Sequence, residues 1–225
     1  MTERVTLIER DDDVSAVWET ILSGSYRQLV DRIAGFDLTL ENVRAELRRS
    51  NVSRMDLAFQ TILRNRVNHG GILAPGSGII KHGENGKGIK SRWYPDTLYK
   101  RIVNICHVKE RIRFIHGNGV TVLKENARHS DYVFFIDPPY TAAGKKAGKR
   151  LYTHNDLDHE ELFEIAATLR GDFLMTYDNA EGVETLAKRH SFDTHAIAMK
   201  NTHHAEMTEL LIGRDLSWVR RAQKT

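Results

Sequence analysis

Residues 131–140 read DYVFFIDPPY, an apolar and aromatic run that stops at Asp137-Pro138-Pro139-Tyr140. Val133, Phe134, Phe135 and Ile136 form the short continuous apolar run expected of a strand covered on both faces. Two consecutive prolines cannot continue a hydrogen-bonded ladder, so the chain must leave the sheet at Asp137. The corner is stiff because both prolines fix φ, and its carbonyls are left for something other than a neighbouring strand. Asp137 adds a carboxylate and Tyr140 an aromatic face. A flat heterocycle with an exocyclic amine fits that set: the amine donates two hydrogen bonds and the ring stacks on the tyrosine. Taken alone, the four residues would also serve a plain strand-to-loop turn, and the rest of the chain decides between the two.

Asp137-Pro138-Pro139-Tyr140 resembles the catalytic motif of DNA adenine methyltransferases of the GATC-methylase-like (Dam-like) family. The resemblance implies an α/β fold, a Rossmann-like S-adenosylmethionine-dependent sheet with an inserted, mostly helical and loop DNA-recognition region. It implies S-adenosylmethionine as cofactor and double-stranded DNA as partner. In such an enzyme the adenine leaves the duplex, because its amine is otherwise paired and buried in the stack. Tyr140 would stack on the flipped base, while Asp137 and the carbonyl of Pro138 would accept both amine protons. Pro139 completes the corner, and Asp137 also lies beside the cofactor. This chemistry needs no metal and no covalent nucleophile, and it assigns Asp137 hydrogen bonding and positioning, with strong base action unnecessary.

At 225 residues the chain can build a substantial core, and its 40% hydrophobic and 28% charged residues are the fractions of a soluble globular protein. No run approaches the roughly 18 apolar residues of a membrane span. The polar start MTERVTLIERDDD is unlike a signal peptide, so a cytoplasmic protein is expected. Cys106 is the single cysteine, which excludes an internal disulfide framework and a cysteine-based zinc site. His154, His159, His203 and His204 lack metal-ligand spacing, and no metal is expected. A net charge of +3 says less than its distribution. Arg64, Arg66, Lys81, Lys87, Lys90, Arg92, Lys100 and Arg101 crowd one stretch that offers only Glu84 and Asp96 in return.

Residues 4–10, RVTLIER, read as a strand ending near Glu9, followed by an acidic turn and the amphipathic helix VSAVWETIL. An acid at the end of the second strand of a doubly wound sheet commonly binds ribose hydroxyls, and Glu9 fits that role. The resemblance agrees, since its members place such an acid before a helix that often carries an aromatic like Trp18. The first strand and its Phe-x-Gly-x-Gly loop, which let backbone approach S-adenosylmethionine, are expected upstream and are not found there. Downstream, Phe114 to Gly119 matches only superficially; the resemblance makes it the third strand, with Asn118 as a cofactor neighbour.

Residues 25–67 read as helices, with apolar spacings such as Leu29, Ile33 and Phe36, and Arg44 to Arg49 as a solvated face. From Arg64 to Pro95 glycine, asparagine and basic residues dominate, as in an irregular loop. Asn65, Arg66, Asn68, Gly70 and Gly71 match the Asn-Arg-x-x-x-Gly element that opens the family's target-recognition loop. Arg66 and Lys90 would then hold phosphates, while Asn68 or Arg92 would read base edges. Pro95-Asp96 begins a further helix. The implied domains are 1–24 with 102–225 for catalysis and 25–101 for target recognition.

After the corner, residues 141–158 form a second basic segment, a lid in which Lys145 and Lys146 contact phosphate and Tyr152 lines the flipped-base pocket. Asp158 to Glu161 is a capping pattern for a helix ended by Gly171. Phe173 to Tyr177 reads as a strand, 181–190 as a helix, 192–199 and 207–212 as a closing antiparallel pair, and WVRRAQKT as a frayed basic tail. The function these features imply is methyl transfer from S-adenosylmethionine to the exocyclic amine of adenine in DNA, by a truncated or split enzyme that needs an upstream fragment, either encoded separately or omitted by a wrong start. Two alternatives remain open: methylation of the cytosine exocyclic amine, and a DNA-binding remnant without catalysis.

Overall fold

The computed structural model describes residues 3–83, 86–139, 154, 156–200 and 206–222, and the chain divides into two compact units, Met1–Gly119 and Val120–Thr225. In the first unit, strand β1 (Val5–Glu9) runs parallel to β2 (Ile112–His116), with Val5 opposite Ile112 and Glu9 opposite His116. The acidic turn between β1 and helix α1 (Asp12–Leu22) is a cap: Asp11 accepts from the amides of Asp13 at 2.9 Å and Val14 at 3.1 Å. Helices α2 (Tyr26–Gly35), α3 (Leu40–Arg48) and α4 (Arg54–Val67) follow, as the apolar spacing of 25–67 predicts. Helix α5 (Pro95–His107) starts with proline in its first turn, where a missing N–H costs nothing.

Helix α4 organises this unit. Ala58, Phe59, Leu63 and Val67 are buried with Ala16 of α1 and Leu29 and Ile33 of α2. Ion pairs mark both ends of the antiparallel α1–α4 pair, Arg54 with Glu19 at 2.5 Å and Arg64 with Asp13. Each large buried side chain is worth about 1.5–3 kcal/mol and each part-exposed ion pair about 0–1 kcal/mol, so the apolar stripe holds the helices together and the charges set their alignment. The face expected to be wholly solvated is not. Glu46 of α3 is buried and paired with Arg32 at 2.8 Å and Arg49 at 3.0 Å, because Arg32 spans α3 and α4 by also engaging Asp56.

The second unit holds a four-stranded sheet in the order β3-β4-β6-β5, with strands β3 (Val133–Ile136), β4 (Asp172–Asp178), β5 (Asp193–Lys200) and β6 (Glu206–Gly213). β3 and β4 are parallel, and β6 runs antiparallel to both β4 and β5, so the expected closing pair is present. Period-2 alternation buries Phe173, Met175 and Tyr177 of β4 in one core with Leu162 and Phe163 of helix α7 (His159–Thr168) and Val183 and Ala187 of helix α8 (Glu181–Arg189). Helix α6 (Gly119–Asn126) adds Leu123 to that core.

Two expectations are corrected here. β3 is covered on one face only: Phe134 and Ile136 pack inward, whereas Val133 is 75% and Phe135 68% exposed. Among the described residues β3 is an edge strand, paired with β4 alone. The basic tail is not frayed through residue 222. Helix α9 (Ser217–Ala222) places Val219 beside Leu211 and Leu216, and Asp193 of β5 takes both Arg220 and the amide of Leu216, the latter at 2.9 Å.

Gly171 lies three residues beyond Thr168, the last residue of α7, where the loop carrying His129 and Tyr132 crosses it. A Cβ there would fall onto the carbonyl oxygen of Tyr132 and 2.8 Å from that of His129. Both obstacles are backbone, so they cannot swing aside. Gly171→Ala is expected to cost about 1–3 kcal/mol, read as a lowered urea midpoint at unchanged slope; a variant that unfolds with the wild type would show that the loop yields.

Candidate functional site

β3 ends at Ile136 opposite Met175 within β4, so the next residues along the two chains lie side by side. That register sets Asp137 next to Thr176, whose hydroxyl donates to a carboxylate oxygen of Asp137 at 2.6 Å. Asp137 is exposed, Pro138 buried and Pro139 half-buried. The prolines thus anchor the corner while Asp137 stays exposed and takes the Thr176 hydroxyl. Thr176 is a site residue that the motif alone does not reveal; its signal is the period of β4, which puts Phe173, Met175 and Tyr177 inward and Thr176 on the opposite face.

Behind this corner, the Tyr177 hydroxyl lies 3.1 Å from Nδ1 of His159, the first residue of α7, and the two rings meet edge to face at 5.7 Å. A buried phenol needs a polar partner, and the histidine at the helix start supplies it. Tyr140, Lys145, Lys146 and Tyr152 lie outside the described residues.

In the first unit, Glu9 and Asn118 lie at the same end of the β1–β2 pair, because parallel strands share their carboxyl ends. The Gly117 amide donates to the Glu9 carbonyl at 2.8 Å, drawing the chain just before Asn118 against β1. The Glu9 carboxylate is oriented by the amides of Arg10 at 2.8 Å and Asp11 at 2.9 Å. Trp18 of α1 stacks on Phe114 of β2, with centroids 6.3 Å apart. Asp137, the third expected cofactor neighbour, belongs to the second unit.

The glycine-rich stretch is built around its asparagines. Asn65 donates to the Gly71 carbonyl and Asn68 to the Ile72 carbonyl, both at 2.9 Å. Gly70 and Gly71 take φ of 63° and 74°, the left-handed conformation that makes the turn. Asn68 is only 4% exposed, so its side chain shapes the loop from inside. Arg92 donates from Nη1 to the Asn68 carbonyl at 3.2 Å. Lys90 lines a cleft of about 810 Å³ together with Leu38, Arg44, His69, Ile80 and Lys87.

The charges of this unit fall into two sets. Arg32, Arg49, Arg54 and Arg64 each face a carboxylate. Among the described residues, Arg66, Lys81, Lys87, Lys90, Arg92, Lys100 and Arg101 form no ion pair, and no group of three or more His, Cys, Asp or Glu side chains could hold a metal ion. None of the described helices is long and apolar enough to cross a membrane.

Burial pushes the His159 imidazole below its usual value of 6.5, against the pull of Asp158 and Asp178. The unfolded chain therefore takes up this proton at higher pH than the folded one, and stability falls as the pH drops through about 6.5, levelling below the folded value. His159→Gln removes that contribution. Its urea midpoint should change less than the wild type's between neutral pH and about 5.5; parallel curves would show that another group carries the dependence.

No protein-family model matches the chain, and no curated protein matches it. Among solved structures, a proposed RNA methyltransferase from Pyrococcus horikoshii is similar over 83% of this chain and 96% of that one, at 14% identity and a TM-score of 0.28. That likeness is too loose for residues of one to be matched to residues of the other.

Proposed function

We propose that this chain belongs to an S-adenosylmethionine-dependent methyltransferase that modifies the exocyclic amine of adenine in double-stranded DNA. The observation that carries the reading is the Asp137-Pro138-Pro139 corner: a carboxylate held by Thr176 at the carboxyl end of a parallel strand, followed by two residues without N–H groups. With the base flipped out, Asp137 and the Pro138 carbonyl accept the two amine protons, and Tyr140 stacks on the ring. These interactions draw the nitrogen lone pair out of conjugation and aim it. S-adenosylmethionine, when bound, supplies an electrophilic methyl group. The methyl group would pass from the sulfonium sulfur to the amine nitrogen and one amine proton would then be lost to solvent, so the protein's work is orientation.

Glu9, with its carboxylate oriented at a strand end, suits ribose hydroxyls, and Asn118 lies at the same end of the β1–β2 pair. The described residues contain no glycine-rich loop suited to the methionine part of the cofactor. The proposal therefore includes a separately encoded N-terminal fragment that brings a strand and such a loop. Among the described residues β3 pairs with β4 alone and Val133 and Phe135 are exposed, which supports it, since parallel strands are ordinarily covered. Residues 25–101 then serve target recognition, with Arg66, Lys90 and Arg92 toward DNA and Asn68 as a positioning residue.

The test is transfer of labelled methyl to mixed-sequence duplex DNA by the chain alone and with an upstream extension. Asp137→Ala should lower transfer about 10²–10³-fold, the scale for removing one preorganised hydrogen bond to the reacting group. Thr176→Val should lower kcat about tenfold while leaving the KM for DNA unchanged, because only the orientation of Asp137 is disturbed. Label recovered in cytosine would move the activity to that amine, and salt-dependent DNA binding without transfer in any form would make the chain a DNA-binding remnant.

A further inference from the structure

The glycine-rich stretch is tied back onto the end of α4. The Gly78 carbonyl accepts from the His69 amide at 3.0 Å, and the Ile80 amide donates to the Val67 carbonyl at 2.8 Å. Further on, the Gly88 amide donates to the His82 carbonyl at 2.7 Å, which closes a loop before the 3₁₀ turn Gly88–Arg92. Gly83, at φ 62°, lets that loop close: a Cβ there would fall onto the Gly88 carbonyl oxygen and lie 2.5 Å from the Ser91 hydroxyl. Ile79 and Ile89 then pack on the core that contains Leu38, the residue before the Thr39 cap of α3. The start of α3 and this loop, distant in sequence, thus become the walls of the 810 Å³ cleft.

The lining has two parts. Leu38, Ile79, Ile80 and Ile89 make an aliphatic floor, continuous with the core and buried or half-buried. Arg44 of α3 and Lys81, Lys87 and Lys90 of the loop make an exposed cationic rim. Among the described residues, no Asp or Glu lines the cleft and these four cations form no ion pair. One unpaired surface lysine says little. Four cations around one cleft without an acid say more, because low-dielectric walls focus their combined field. Gly86, also in the lining, has open space where a side chain would stand, so a ligand can come close to the backbone there. His69 is the single ring in the described lining, which leaves little platform for stacked bases.

A ligand for this cleft has anionic groups at its edges and an apolar body. We propose that it seats the sugar–phosphate backbone of one DNA strand, with phosphates at Arg44, Lys81, Lys87 and Lys90 and the apolar faces of deoxyriboses on the aliphatic floor. A backbone repeats its charge at every nucleotide, which suits a rim of several separate cations. Contacts to phosphate and sugar carry no sequence information, so the cleft positions the duplex and base reading falls to other residues. Arg44 gains a partner here, a role its place in a run of helix-surface charges does not suggest. The inference rests on the DNA reading of this unit and is independent of methyl transfer.

The test uses the full chain, needs no cofactor, and reads the binding of a labelled mixed-sequence duplex across a salt series. Arg44→Gln and Lys87→Gln should melt at the wild-type temperature, since both side chains are exposed and form no ion pair among the described residues. Each should weaken binding to all sequences alike and flatten the plot of log affinity against log salt by about 0.9 for each phosphate no longer neutralised. Arg113→Gln removes the same charge from an exposed position on β2 outside the cleft lining, and should keep the wild-type slope. A wild type that does not bind DNA defeats the DNA reading and this inference with it. Binding with an unchanged slope in both cleft variants leaves the DNA reading standing and overturns the cleft. Equal flattening by Arg113→Gln makes the effect one of net charge and overturns it as well. A peptide alternating glutamate and leucine that binds the wild type more tightly than the duplex, and loses that binding in Arg44→Gln, gives the cleft to an acidic protein and overturns the DNA assignment.

Discussion

Parallel pairing puts the carboxyl ends of neighbouring strands at one edge of a sheet, and that constraint decides where polar groups collect in each unit. In the first unit it brings Glu9 and the His116–Asn118 turn to the same end of β1 and β2. In the second it sets Asp137 beside Thr176, a hydrogen bond between residues 39 positions apart that exists only because β3 and β4 run in the same direction with Ile136 opposite Met175. An antiparallel arrangement would send the carboxyl ends of the two strands to opposite edges. The helices serve this arrangement: α7 and α8 cover the face of β4 that carries Phe173, Met175 and Tyr177, and the other face of β4 is left for Thr176.

Charge in the first unit follows a second division of labour. Between the helices, arginines are paired and half-sheltered, as in the Arg32–Glu46–Asp56 group, where Arg32 also lies 4.3 Å over the ring of Phe59. Removing one partner there would strand a buried charge, a cost larger than the pair's net gain. In the loop that follows, Asn65 and Asn68 donate to the loop's own carbonyls, and among the described residues Arg66, Lys81, Lys87, Lys90 and Arg92 form no ion pair. The buried Nε of Arg66 has no acceptor among those residues, a cost incurred in the folded state.

Much of this was legible from residue patterns. The acidic turn after Glu9 is the α1 cap, Asp158 caps α7 by accepting from the Glu161 amide at 3.0 Å, and the final antiparallel pair falls within a residue or two of its expected limits. These features are local: a cap needs three residues and a strand needs its own alternation. What was missed is non-local. Asn68 looks like an exposed amide in a polar loop, yet it is buried because the chain from Ile72 to Ile80 folds back over it, pairing Asn68 with Ile79. Glu46 sits in a string of surface charges, yet it is buried because Arg32, fourteen residues away, needs it. The apolar run of β3 suggests cover on both faces, and no periodicity could say that one face would be open.

By itself the sequence determined the element types, the stiff Asp-Pro-Pro corner and the concentration of cations between residues 64 and 101, since each follows from side-chain geometry, missing N–H groups or composition. Only the tertiary structure decided which of those cations are neutralised, which loop polar groups are committed to the backbone, and that Thr176 holds Asp137. The reason is physical: strand register, burial and ion pairing are set by segments that meet in space, and their partners lie tens of residues apart along the chain.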